Sequence, residues 1–313
     1  MMSARICSFR RVALSVLALP GLLLGTLARA NPEPWQINLT PGVTRISHRI
    51  YQLHMLGFYL CVAIGIVVFG AMFIAMFRFR KSRGAVAAQW SHSTRLEVIW
   101  TIVPVLILIV LAWPATNLLV SMADVEGANM TVKVTGYQWK WRYEYLNYFG
   151  KPYKVDFISS LDAESNRVRQ LGSGLDPASV KDGDYQSYLL NVDKPLVVPV
   201  GVKIQFLVTG ADVIHAWWVP ALGWKQDAIP GVINDQWSLI QTPGVYRGQC
   251  AELCGRDHAF MPIVVKAVPK AEFEQWLASQ QAAATAPEPA AAPTAPATPT
   301  PTPTASATAP AKG

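Results

Sequence analysis

Gly248-Gln-Cys-Ala-Glu-Leu-Cys-Gly-Arg-Asp-His-Ala-Phe-Met-Pro262 is the stretch from which the rest of this chain can be read. It holds Cys250, Cys254, His258 and Met261, and His215 stands thirty-five positions before the first cysteine. Thiolate, imidazole and thioether are soft ligands that suit copper far better than magnesium or calcium. A mononuclear blue-copper site takes one thiolate, two imidazoles and a weak axial ligand, so a single copper leaves one cysteine over. If both sulfurs bridge two coppers, each metal has two sulfurs and one imidazole. Met261 is then the weak axial ligand of one metal, and a backbone carbonyl between the cysteines serves the other. Such a pair shares one electron over both metals, so bond lengths change little on reduction and transfer is fast. Structural zinc accepts two cysteines and two histidines but gives Met261 no role. A disulfide is compatible with an exported domain but ignores both histidines. The full set of five side chains favours two coppers.

Bulk properties point to a membrane. Of 313 residues, 51% are hydrophobic and 15% charged. The net charge of +7 is not a nucleic-acid surface, because the region from Asp124 to Lys270 carries 15 acidic and 15 basic residues. The excess lies at Arg5, Arg10, Arg11 and Arg29, and around the apolar spans at Arg78, Arg80, Lys81, Arg83 and Arg95. Positive charge so placed sets topology. Cys7 lies in the leader and Cys61 in an apolar run, which leaves the 250/254 pair alone in the exported part, and no Cys-x-x-Cys-His marks a c-type haem.

Residues 1–30 have the form of a cleaved signal peptide, with a basic start, an apolar core from Val12 to Leu27, and Ala28-Arg-Ala30 before the cut. Residues 31–123 form a transmembrane hairpin with helices at about 53–77 and 99–122, each near the roughly 20 residues a span needs. The basic loop Arg78–Arg95 belongs in the cytoplasm, so both ends of the hairpin face the periplasm. From Met130 the period changes to alternation. Thr131–Trp139, Tyr188–Val192 and Val202–Val208 are predicted strands. The spacing fits an all-β, cupredoxin-type Greek-key sandwich over residues 124–281. Leu161–Tyr185 is expected to be a surface insertion, and a short helix near Lys270–Gln281 to close the domain. Residues 282–313, almost wholly Ala, Pro and Thr, are expected to stay extended and mobile, with no chemistry.

With these residues in view, the chain from about Trp35 to Leu277 resembles subunit II of the haem–copper cytochrome c oxidases. Asp212-Val-Ile-His-Ala-Trp217, Gln226-Asp-Ala-Ile-Pro-Gly231 and Gly248 to Pro262 carry the resemblance. It implies copper ligands at His215, Cys250, Cys254, His258 and Met261, with the carbonyl of Glu252 as the sixth. It also implies a magnesium ion held by the Glu252 carboxylate against subunit I. Electrons from a c-type cytochrome would arrive at Trp139, with Glu144 and Asp212 among the docking acids. Glu97 would stand at the mouth of a proton channel. The bland readings are that Trp139 packs a sheet, that the two carboxylates are solvated charges, and that Glu97 is an interfacial acid. His48, His54 and His92 have no motif behind them. The chain departs from the family at Tyr137, at Lys140 and at Val232, where relatives often have His, Tyr and Arg.

The resulting expectation is the electron-accepting subunit of a bacterial terminal oxidase. It sits in the inner membrane with its copper domain and C-terminus in the periplasm. It binds subunit I and other oxidase subunits, a c-type cytochrome and membrane lipid, but no nucleic acid. Oxygen chemistry belongs to subunit I, since nothing here holds a haem. The rival is a membrane-anchored copper chaperone or store outside respiration. A nitrous-oxide reductase shares the copper centre but needs many more histidines than the five present. Quinol-oxidising relatives lack the copper ligands.

Overall fold

The computed structural model describes residues 28–30, 35–177 and 187–285. Most of the expected signal segment and the Ala/Pro/Thr tail lie outside the described residues. After a three-residue strand β1 (Ala28–Ala30) come two long helices, α1 (Arg45–Arg78) and α2 (Thr94–Ala123). Both exceed the apolar spans read from sequence, because polar residues extend them at the ends. Thr44 caps α1 by accepting from the Ser47 amide, while the Ser47 hydroxyl accepts from the Thr44 amide. Glu97 lies exposed in the first turn of α2, where the helix dipole favours an acid. At 1.5 Å per residue α1 is roughly 50 Å long, more than the ~30 Å hydrocarbon layer requires. Its apolar side chains, among them Ile66, Val67 and Phe73, lie open along the helix, as lipid contact demands.

The sandwich follows from strict alternation. In β3 (Lys140–Tyr148) Trp141, Tyr143 and Tyr145 turn inward, and in β6 (Lys203–Gly210) Ile204, Phe206 and Val208 do. With β2 (Met130–Tyr137), β4 (Lys151–Ser159) and β9 (Asn234–Leu239) they form a five-stranded sheet in the order β4-β3-β2-β6-β9. The second sheet runs β5-β11-β10-β7-β8, with β1 beside β10. Its strands are β5 (Leu196–Pro199), β7 (His215–Trp218), β8 (Lys225–Ala228), β10 (Gly244–Cys250) and β11 (Pro262–Val268). Three pairs, β2 with β6, β5 with β11 and β1 with β10, are parallel, so the chain crosses between neighbouring strands. Phe206, Trp217 and Trp224 pack within 5.1–5.5 Å of one another between the layers. Each such burial stabilises by about 1.5–3 kcal/mol. The architecture is the expected cupredoxin-like sandwich.

Two local expectations are corrected, and one segment gains a helix. Tyr188–Val192 is a turn, not a strand: Leu189 has φ 63°, the Leu190 amide bonds the Ser187 carbonyl, and only Val192 bridges Leu161. The insertion carries a short helix α3 (Ala163–Val168), capped by Asp162, that buries Ser165 and Val168. The last helix, α4 (Lys270–Thr285), runs past Gln281 because the alanines that follow are good helix formers. Its Phe273 and Trp276 pack against Tyr145.

The hairpin is tied to the sandwich by backbone and side-chain bonds. Val43 donates to Ala221 at 2.9 Å and accepts from Gln241 at 3.0 Å, and the Trp237 indole donates to the Ser121 carbonyl at 3.0 Å.

Candidate metal centre

Three ends of strands converge at one edge of the sandwich. His215 opens β7, Cys250 closes β10, and Met261 leads into β11. Backbone bonds lock them together: Cys250 donates to the Met261 carbonyl at 3.1 Å, and Ala251 to the Ala216 carbonyl at 3.0 Å. Between Cys250 and Met261 the chain makes a loop and a short 3-10 turn, His258–Phe260. Gly255 sits there at φ 116°, and a Cβ on it would lie 3.0 Å from the Gln138 amide nitrogen and 3.3 Å from the Trp139 ring. Only glycine suits both the backbone and the space.

The donor atoms form a compact group. The Cys250 and Cys254 sulfurs are 3.9 Å apart, and both thiols are free. His215 Nδ1 lies 4.0 Å from the Cys250 sulfur, and His258 Nδ1 lies 3.4 Å from the Cys254 sulfur. The Glu252 carbonyl is 3.4 Å from the Cys250 sulfur. Met261 is buried, 1% exposed, and its backbone carbonyl accepts from Cys250. Each sulfur therefore has its own imidazole.

Electrostatics favours a cation here. Burial opposes ionisation of Cys250, but hydrogen bonds to His215 and to the backbone at Glu252 and Ala216 bring it down to about 7. Burial and the neighbouring Cys250 push Cys254 up to about 12. Ionising both sulfurs side by side is thus opposed within the chain, and a bound cation would relieve that opposition. The imidazole of His215 is fully buried, and its Nε2 bonds Asp212 Oδ1 at 2.8 Å. A carboxylate on the far nitrogen fixes the ring and leaves Nδ1 free to ligate. Asp212 is itself held by the amides of Gln138 and Val213, each at 2.7 Å. Burial opposes its charge, yet these bonds and His215 keep its carboxyl below the usual range.

Comparison with known proteins agrees with this chemistry. A family model described as "Cytochrome C oxidase subunit II, periplasmic domain" matches residues 130–268, and one described as its transmembrane domain matches residues 32–118. "Probable cytochrome c oxidase subunit 2" of Rickettsia bellii is 35% identical over 272 residues, covering 86% of this chain and 94% of its own. "Cytochrome c oxidase subunit 2" of Mycosarcoma maydis is 38% identical over 254 residues, 80% of this chain and 92% of its own. This chain belongs to the cytochrome c oxidase subunit II family. Among solved structures, the periplasmic domain of subunit II of Bradyrhizobium japonicum is 39% identical, with a TM-score of 0.41, covering 51% of this chain and 99% of that one. As a subunit II, the protein is the electron-accepting component of an oxidase complex and a membrane protein with two spans.

The remaining residues singled out in the sequence fall in different places in this subunit II. Trp139 is half-buried in the turn between β2 and β3, and its indole donates to the Cys254 carbonyl at 3.2 Å. Gln138 donates to the same oxygen at 2.9 Å. Trp141 and Tyr143 are fully buried in the core. Glu144 lies on the outer face of β3, paired with Lys133 at 3.0 Å and with Arg142 at 3.7 Å. Glu97 lies in the hairpin, far along the chain from the metal centre, and Val232 is exposed in the loop before β9.

Two supports were missed in the sequence. Asp212, expected among the docking acids, is exposed and also holds His215, a support that its three-residue spacing could have signalled. Arg169, just after α3, lies 3.5 Å from Asp257, and its guanidinium stands 4.2 Å over the Phe260 ring. Asp257 and Phe260 flank the His258 turn, so the insertion braces a ligand from outside. No local pattern announces a pairing across so many residues.

Proposed function

We propose that this subunit II binds two coppers between the sulfurs of Cys250 and Cys254. His215 and His258 would each give an imidazole, and Met261 and the Glu252 carbonyl would complete the residues that hold the metals. The carrying observation is the pair of free thiols 3.9 Å apart with an imidazole at each end. That separation is nearly twice a disulfide bond of about 2.05 Å. It is also shorter than two metal–thiolate bonds of about 2.3 Å laid end to end, so a metal can bond both sulfurs. When bound, the copper pair supplies a one-electron acceptor shared over two metals.

The chain's own residues then perform the transfer. The Trp139 indole reaches from the half-buried turn to the carbonyl of a ligand cysteine, so it links a docked c-type cytochrome to the centre through one hydrogen bond. The buried ring of His215, fixed by Asp212, keeps its ligating nitrogen in place and keeps water out. The Glu252 carboxylate is exposed while its carbonyl turns inward, which suits an oxygen ligand for magnesium at a contact with haem-bearing subunit I. The basic loop after α1 supports a cytoplasmic turn, and so a cleaved signal peptide and a periplasmic copper domain in the inner membrane.

Trp139→Phe tests the wiring apart from the metal. Copper content and spectrum should match the unaltered complex, while transfer from bound cytochrome c should fall roughly tenfold or more, about 1.4 kcal/mol in barrier terms. Unchanged stopped-flow transfer would return Trp139 to a packing role. Glu97, at the cytoplasmic end of α2, is proposed as the mouth of a proton path into subunit I. Glu97→Ala should slow turnover and delay proton uptake with the copper spectrum untouched. Proton uptake at the unaltered rate would leave Glu97 an interfacial acid.

A further inference from the structure

We infer that Gln138 is a positioning residue that joins the two halves of the metal centre, through its backbone amide on one side and its side chain on the other. The inference rests on the reading of the site as a copper pair.

The two cysteines are held by different means. Cys250 ends a strand, and its amide donates to the Met261 carbonyl at 3.1 Å. Cys254 lies in the loop beyond, outside every strand. Its carbonyl accepts from two side chains, Gln138 Nε2 at 2.9 Å and the Trp139 indole at 3.2 Å. Both donors come from the turn between β2 and β3, 116 and 115 positions earlier in the chain. Gly255 leaves them room, since a Cβ there would lie 3.0 Å from Gln138 Nε2. The loop cysteine is therefore placed by that turn.

The turn is placed by Asp212. The Gln138 amide donates to Asp212 Oδ2 at 2.7 Å, while Asp212 Oδ1 bonds His215 Nε2 at 2.8 Å. An unbroken path of hydrogen bonds thus runs from the buried imidazole, through Asp212 and Gln138, to the loop cysteine. Among the described residues, Gln138 alone bonds both Asp212 and Cys254. Two consequences follow for a bound metal pair. The Cys254 sulfur is kept in register with the rigid half of the site. A donor on its carbonyl also draws electron density from the peptide that carries the sulfur, which favours the electron-richer reduced centre.

The test uses the purified full oxidase complex and two variants of similar side-chain length. Gln138→Met removes the donor, and Gln138→Glu sets a carboxylate against the Cys254 carbonyl. The readouts are the reduction potential of the copper centre, its electron spin resonance, and the rate at which a chelator removes copper. The potential should fall from the unaltered protein to Gln138→Met, and further in Gln138→Glu. The resonance should show the electron shared less evenly between the two nuclei. Copper should leave Gln138→Met roughly two- to fivefold faster, the factor that matches the ~0.5–1 kcal/mol of one net hydrogen bond. Gln138 is exposed, so after copper is stripped all three proteins should unfold at the same temperature. Lowered unfolding temperatures in the stripped variants would make Gln138 part of the fold and overturn the assignment. Equal potentials and equal chelation rates in all three proteins would overturn it too, with the copper reading intact. Absence of a shared-electron signal from the unaltered complex removes the copper reading, and this proposal with it.

Discussion

The two imidazoles of the centre are held in opposite ways. His215 sits at the start of a strand, fully buried, with Asp212 on its far nitrogen and Trp141 edge-on at 5.9 Å. His258 sits in a 3-10 turn, half-buried, steadied from outside by the contacts of Arg169 with Asp257 and Phe260. One arm belongs to the packed sandwich and is as rigid as the core. The other belongs to a loop and depends on a brace from an insertion. The difference teaches that a site at a sheet edge can combine a half fixed by the core with a half held by a loop and its brace.

Cys250→Ser removes what the two arms share and should have the largest effect. One thiolate cannot bridge both metals symmetrically, so the shared-electron resonance should vanish whatever the state of either imidazole. Survival of that resonance in the variant would mean that Cys250 is not a bridge.

Gly136→Ala attacks the rigid arm. A Cβ at that position would lie 2.7 Å from His215 Cδ2 and 2.9 Å from Cγ, in a ring that Asp212 prevents from yielding. Overpacking of this kind costs about 1–3 kcal/mol. The variant should lose thermal stability and most of its copper together, as calorimetry and metal analysis would record. Full copper at unchanged stability would show that this arm is softer than its packing implies.

Arg169→Gln attacks the braced arm and should do less. The ion pair and the cation–π contact are partly exposed, and together they stabilise by about 0.5–2 kcal/mol. The fold and copper content should persist, while copper leaves to a chelator several-fold faster. Arg169→Lys, which keeps the charge and part of the ring contact, should fall between. Identical chelation rates for all three proteins would remove the brace.

This contrast also marks what was legible in sequence. A ligand set could be proposed because softness and number are properties of residue types, and the structure brings His215, Cys250 and Cys254 of that set into one group. The hairpin could be read because apolar runs of membrane length have few other uses. The sandwich followed from alternation in strands such as Lys203–Gly210, yet Tyr188–Val192 alternates and is a turn, since five residues do not distinguish the two. The second task of Asp212 was not legible: sequence shows a carboxylate near a loop, not that it also holds the His215 ring. Arg169 was not legible, because its partners lie beyond any local period and meet it only through the insertion's path across the copper loop.

The central claim is the number and sharing of metals, and it is tested most directly on the purified oxidase complex. Metal analysis combined with electron spin resonance of the oxidised subunit should give two coppers in the sandwich and a single unpaired electron coupled to both nuclei. One zinc, or one copper with an electron confined to a single nucleus, would contradict the account.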